Sequence, residues 1–354
     1  MILDDTFFIA APMAGVRTRQ GWVRSQQQTS FSFEPGERCL MENHFAVRLA
    51  AAVRRCGNPV LVGLDPRAES LPAGLLSGDD RRQPDRVAAA YGDFCRGVID
   101  VVAPLVAVVK PQAAFFEQQG PAGMAVLAEV IAYARSQGLL VILDGKRNDI
   151  GSTATAYAHA YLGPAEQHGW GADALTVSPY LGEDSLEPFV EVASENGGGI
   201  FVLVKTSNPG GGRFQDLVAD GRTLHAHVGE LVEQLALQTL PGEETGCAYG
   251  SVGAVAGATY PEQLEEIRQS LPHCWLLVPG FGAQGGGAAD VAGAFDASGL
   301  GAIVNSSRGI IFAHDRDPYR EQFGDARWQE AVEAATHEMI SQLRDLTPAG
   351  QLAE

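Results

Sequence analysis

The chain has 354 residues, 45% hydrophobic and 19% charged, with a formal net charge of −18, so its acidic surface repels nucleic acid and anionic membranes and an anionic ligand needs a local positive pocket. Its five cysteines (Cys39, Cys56, Cys95, Cys247, Cys274) are scattered without a CxxC pair, which argues against a disulfide framework or a zinc site and fits a reducing cytoplasm. The apolar runs are short and interrupted, so no membrane span is expected, and the N-terminus lacks the basic region of a signal peptide.

Residues 1 to 40 carry Gln26-Gln27-Gln28 among scattered Ser, Thr and Arg, with no sustained period, as expected of a flexible N-terminal extension. Met41 precedes an amphipathic stretch, Phe45–Val53, and is a candidate natural start, which places the folded domain at 41–354. From Pro59 onward, short runs rich in Val, Ile and Leu alternate with longer helical stretches. The expected strands and helices follow in turn: Val60–Leu64, a helix near 85–100, Val106–Lys110, a helix near 121–137, Leu139–Leu143, a helix near 153–168, Ala174–Val177 and a helix near 184–195. Then come Ile200–Val204, a helix near 223–239, Ser251–Ala256, a helix near 260–270, Trp275–Val278, a helix near 286–295, Ala302–Asn305 and a last helix near 325–345. Buried parallel strands read as continuous apolar runs. Eight of them, each followed by a helix, predict a single-domain α/β fold, a (β/α)8 TIM barrel. A doubly wound open sheet is the alternative, since periodicity does not show closure.

Active residues of such barrels lie at the C-terminal ends of the strands. Those ends are polar here: Asp65, Lys110, Asp144 with Lys146, Ser178, Lys205, Gln284 and Arg308. The densest group is Asp144-Gly145-Lys146-Arg147-Asn148-Asp149. If the strand stays extended, Asp144 and Lys146 point to one side, and Lys110 ends the preceding strand beside them. Buried charges persist when paired, and flanking carboxylates favour an ammonium that can serve as an acid. The bland alternative is an ordinary ion-pair network at a barrel rim.

A second group reads as an anion site. Gly280-Phe281-Gly282-Ala283-Gln284-Gly285-Gly286 follows the seventh strand and Asn305-Ser306-Ser307-Arg308-Gly309 the eighth. Loops in these places often hold phosphate. Gly282 and Gly285 let backbone N–H groups approach an anion, and Arg308 supplies a two-pronged charge. The formal GxGxxG match here lacks the following acidic residue that a dinucleotide site requires. Other features take bland readings. His225 and His227 do not share a helix face, Glu262, Glu265 and Glu266 form a solvated face, and Gly210-Gly211-Gly212 is a loop without P-loop chemistry that is placed to act as a lid.

Taken together these residues resemble the orotidine 5'-phosphate decarboxylase family. Asp144-x-Lys146-x-x-Asp149 is similar to its DxKxxD signature. Asp149-Ile150-Gly151-Ser152-Thr153, Gly63-Leu64-Asp65-Pro66-Arg67, Lys110-Pro111-Gln112-Ala113-Ala114-Phe115-Phe116-Glu117, Lys205-Thr206-Ser207-Asn208-Pro209-Gly210 and Gly257-Ala258-Thr259-Tyr260-Pro261 resemble the longer, mycobacterial-type subgroup. The likeness covers residues 45 to 345 in family order, with Gly145 where alanine is usual and Asn148 where glycine is common. It implies decarboxylation of orotidine 5'-phosphate without cofactor or metal. Lys146 would protonate C6, Asp144 would sit against the substrate carboxylate, and Lys110 would orient Asp144 and bind the ribose region. Asp65 would also contact ribose, Ser178 the pyrimidine, and Gln284 and Arg308 the phosphate. Asp149 and Thr153 would reach the neighbouring site of a cytoplasmic homodimer. The rivals are a magnesium-dependent sugar-phosphate relative on the same DxKxxD frame and a non-catalytic phosphate-binding barrel. Fusion to orotate phosphoribosyltransferase would need more than the roughly 55 residues before the first strand.

Overall fold

The computed structural model describes residues 43–257, 261–282 and 287–353. The expected N-terminal extension, Met41, Thr259, Gln284 and Gly285 lie outside the described residues.

Helix α1 (Phe45–Cys56) begins at His44, whose Nδ1 accepts the Ala46 N–H at 3.2 Å, and stops at Gly57, where φ is 66°. Among the described residues eight strands form the barrel: β1 Val60–Leu64, β2 Val108–Pro111, β3 Leu140–Arg147, β4 Ala174–Val177, β5 Gly199–Lys205, β6 Val252–Ala256, β7 Leu276–Val278 and β8 Ala302–Ser306. Each neighbouring pair is parallel, and β8 returns to β1 through Val60↔Val304, Leu61↔Asn305 and Val62↔Ser306, so the sheet is a closed barrel and the open-sheet alternative is excluded.

The strands read as unbroken apolar runs because both of their faces are covered. Val60, Val62 and Leu64 of β1 point outward to the helices, whereas Leu61 points into the barrel. The interior is filled by Leu61, Ile142, Phe201, Trp275, Leu277 and Ile303. Phe45, Leu49 and Val53, four residues apart on α1, close it from the N-terminal ends of the strands. The opposite mouth carries the polar residues, so one end of the barrel is a plug and the other is open to chemistry.

The outer layer comprises α2 (Pro84–Val102), α3 (Gly120–Ser136), α4 (Gly151–Leu162), α5 (Glu187–Glu195), α6 (Leu224–Gln238), α7 (Pro261–Ser270) and α8 (Trp328–Leu346), the last packed on α2. The helix expected over 153–168 is broken by Gly163-Pro164, where Pro164 cannot continue the hydrogen-bond ladder, and a short turn, Ala165–His168, follows. Near 286–295 the described residues form a 3₁₀ turn, Ala289–Ala294, in place of an α-helix. None of the helices among the described residues is long and apolar enough to cross a membrane.

Candidate active site

Three charges meet at the open mouth. The Asp144 carboxylate accepts from Lys110 Nζ at 2.9 Å and Gln112 Nε2 at 3.0 Å on Oδ2. On Oδ1 it accepts from Lys146 Nζ at 2.5 Å and Thr176 Oγ1 at 3.0 Å. An ionised carboxylate offers about four acceptor positions, and all are filled. Asp144 and Lys110 are buried, at 7% and 4% exposure. Burial pushes the Asp144 carboxyl up, but the ammonium groups of Lys110 and Lys146 outweigh it and hold it below the usual carboxylate range. Burial pulls Lys110 down, and Asp144 and Asp65 more than reverse that. The Asp144 pairing therefore contributes stability that is present above about pH 4 and is lost as pH falls below it.

The backbone that presents these groups is not the plain extended strand expected from sequence. Leu143 pairs with Leu175 and Arg147 with Val177, so residues 144–146 face the single residue Thr176 across a bulge. Within it Lys146 takes φ 45°, a left-handed conformation that costs a non-glycine residue about 1–3 kcal/mol. The Thr176 hydroxyl accepts the N–H groups of Gly145 and Lys146 at 3.0 and 2.9 Å. Asp144 and Lys146 do share a side, as expected, but through this turn. A Cβ at Gly145 would meet Cδ1 of the buried Leu175 at 3.2 Å, so a larger residue there needs that side chain to give by a few tenths of an ångström.

Lys146 is the accessible member of the cluster, its side chain 49% exposed. It lines a cavity of about 490 Å³ with Asp65, Gln112, Phe115, Glu117, Gly145 and Arg147. Arg147 is tied down by Glu117, the Gly145 carbonyl at 2.7 Å and the Tyr161 hydroxyl at 3.2 Å. Asp65 Oδ1 is buried without a hydrogen-bond partner among the described residues, a polar atom left for a ligand to satisfy. A half-exposed ammonium and an orphaned carboxylate oxygen on one cavity are features a ligand site offers and an ion-pair network at a rim does not need.

On the β7–β8 side, Gly282, Ser306, Arg308 and Gly309 line a second cavity of about 440 Å³. Gly282 has φ 74°, which glycine adopts without strain. Arg308 is exposed and its guanidinium makes no ion pair among the described residues. Ser306 neighbours Val62 and Gly63 neighbours Lys110 across the closed sheet, so Arg308 and the Lys110–Asp144–Lys146 cluster stand on the same rim.

The remaining expected residues are more dispersed. Ser178 follows β4, half-buried, its N–H donating to the Arg147 carbonyl at 2.9 Å. Asp149 Oδ1 accepts from the Ile150 N–H at 2.9 Å, Thr153 is exposed, and within one chain no hydrogen bond or ion pair among the described residues joins either to Lys146. Lys205 is buried and paired with Asp216 of the following loop, apart from the cluster. His225 and His227 hydrogen-bond the backbone of that loop, at Gln215 O (3.0 Å) and Ala219 O (2.9 Å), in keeping with their bland reading. Two members of the cluster, Gln112 and Thr176, were not singled out from sequence. A threonine inside Ala174–Val177 reads as ordinary strand propensity, and Gln112 carries no charge to draw attention.

Known proteins resemble this chain over most of its length. Residues 58–321 match the model of the "Orotidine 5'-phosphate decarboxylase / HUMPS family". An orotidine 5'-phosphate decarboxylase from Rhodopirellula baltica is 60% identical over 302 residues, covering 85% of this chain and 99% of that protein. One from Haloarcula marismortui is 43% identical over 294 residues, covering 82% and 96%. Among solved structures, the OMP decarboxylase of Leishmania donovani superposes with a TM-score of 0.64 at 33% identity, covering 86% of this chain and 98% of that one. A closed parallel barrel, an aspartate clamped between two lysines at its mouth and identity spanning nearly the full length of a relative converge on one conclusion: the chain belongs to the orotidine 5'-phosphate decarboxylase family.

Proposed function

We infer that this barrel decarboxylates orotidine 5'-phosphate to uridine 5'-phosphate, the last step of de novo UMP synthesis, by stabilising charge directly and without a cofactor. The observation that carries the reading is the Lys146 ammonium, held 2.5 Å from a buried, fully hydrogen-bonded Asp144 and open to a cavity on its other side. When the C6–carboxylate bond breaks, its electron pair stays on C6 in an orbital that the ring does not delocalise. A cation already in place stabilises that charge without reorganising. Lys146 Nζ then gives its proton to C6, and the resulting amine regains one from water. Asp144, all of its acceptor positions filled, is a fixed negative charge rather than a base. Beside the substrate carboxylate it disfavours the ground state. Lys110 orients Asp144 and, with Asp65, meets the ribose; Ser178 hydrogen-bonds the pyrimidine. Gln284, Arg308 and the backbone at Gly282 and Gly285 hold the phosphate.

The direct test is the loss of orotidine monophosphate absorbance on adding the protein, with and without excess chelator. The expected result is turnover that the chelator leaves unchanged. Orotidine monophosphate left unchanged, with or without added magnesium, would overturn the reading, and turnover lost on chelation would overturn its metal-free part.

The same reading makes the protein a cytoplasmic homodimer with shared sites, in which Asp149 and Thr153 act across the interface. Ile150, Tyr180 and Leu181, exposed by 57%, 83% and 46% beside the ends of β3 and β4, support a partner on this face. The free thiols Cys56, Cys95, Cys247 and Cys274 fit a reducing compartment. Mixing and refolding Lys146→Ala with Asp149→Ala subunits should recover about a quarter of native activity, since half the dimers then hold one intact site of two. No recovery from two inactive parents would rule out shared sites.

A further inference from the structure

We propose that Thr176 is a positioning residue for decarboxylation, setting both the backbone of Lys146 and the tilt of Asp144. The inference rests on Lys146 being the proton donor. A hydroxyl has one hydrogen to give and two lone pairs to accept with, and Thr176 uses all three. It donates to Asp144 Oδ1 at 3.0 Å and accepts the Gly145 and Lys146 N–H groups at 3.0 and 2.9 Å. At 1% exposure it has no surface to offer a substrate, so it acts only through its neighbours.

The register explains why one side chain carries this role. Between the pairs Leu143↔Leu175 and Arg147↔Val177, Thr176 alone opposes the three bulged residues. Across the bulge the N–H groups of Gly145 and Lys146 donate to the threonine oxygen, which stands where a ladder carbonyl would. That contact holds Lys146 at φ 45°, from which its side chain turns back to Asp144. Without the hydroxyl, two N–H groups lose their acceptor, Asp144 loses one of four donors, and Lys146 is released towards an ordinary strand conformation that re-aims Nζ. Misplacing a reacting group by about 1 Å costs roughly a hundredfold in rate. Because no binding contact changes, the loss falls on kcat.

The test compares Thr176→Val, which keeps the shape and removes the hydroxyl, with Thr176→Ser, which keeps the hydroxyl. Thr176→Val should lose about a hundredfold in kcat with KM within about threefold of native, UMP binding by calorimetry unchanged, and Thr176→Ser should return to within about fivefold. If valine prevents folding, Thr176→Ala carries the same expectation. A folded Val or Ala variant with kcat within threefold of native, a loss confined to KM, or a serine variant as poor as valine would overturn the proposal. A native protein with no orotidine monophosphate turnover would instead remove the functional reading itself, so the two failures are distinguishable.

Discussion

Replacing Lys146 with alanine should abolish turnover while leaving the product bound. One ammonium supplies two effects. Positioned proton donation is worth roughly 10²–10⁴-fold, and a preorganised charge at a developing anion roughly 10²–10³-fold. Because both come from the same group, its removal should lower kcat by about 10⁴-fold or more. Affinity should survive because Lys146 is the exposed member of its cluster, whereas Asp144 keeps Lys110, Gln112 and Thr176 when it is gone. Lys146→Arg should be nearly as inactive. A guanidinium preserves the charge but holds its proton too tightly to deliver it, and its planar fork does not fit the place of a compact ammonium. Steady-state kinetics with orotidine monophosphate and calorimetric titration with UMP measure the two quantities separately. Turnover of Lys146→Ala within tenfold of native would end the assignment, and a parallel loss of UMP affinity would make Lys146 a binding group instead.

What could be read from the chain follows from which interactions are local. β1 and β4 appear at the residues where the apolar runs begin and end, because a strand buried on both faces leaves its mark on every residue it contains. The charged members of the site were legible for a related reason. Lys110, Asp144 and Lys146 end apolar strands, where burial of charge demands an explanation from chemistry. The break at Pro164 was legible in principle, since proline stops a helix by its own covalent structure. By contrast, the bulge at residues 144–146 is a property of a pair of strands, and nothing in Asp144-Gly145-Lys146 alone shows that Leu143 and Arg147 register two residues apart on β4. Thr176 is invisible for the same reason, its three hydrogen bonds existing only once β3 and β4 are side by side. Barrel closure likewise depends on Val60 meeting Val304, residues that hardly differ in character from any other buried pair. Residues whose role is an interaction with a partner far along the chain are the ones that composition and periodicity miss.

Arg308→Ala should weaken productive binding by two to three orders of magnitude and slow the chemical step far less. Arg308 is exposed beside Gly282 and Ser306 on the rim that bears Lys146, and a phosphate placed there would meet its guanidinium through two parallel hydrogen bonds. Losing one partner of such a charged pair costs roughly 3–4 kcal/mol, which sets the expected fall in kcat/KM at about 10²–10³-fold. Most of it should appear in KM. Some should reach kcat, because binding energy from the remote phosphate also aligns the ring over Lys146. The decisive comparison uses two substrates, orotidine monophosphate and orotidine, which lacks the phosphate. Native protein should prefer the phosphorylated substrate strongly, and the variant should lose two to three orders of that preference while treating orotidine as native does. An equal effect of the substitution on both substrates would mean that Arg308 serves something other than the phosphate. The same cycle separates Arg308 from Lys146, since removing the proton donor should depress both substrates alike and removing the phosphate anchor only one.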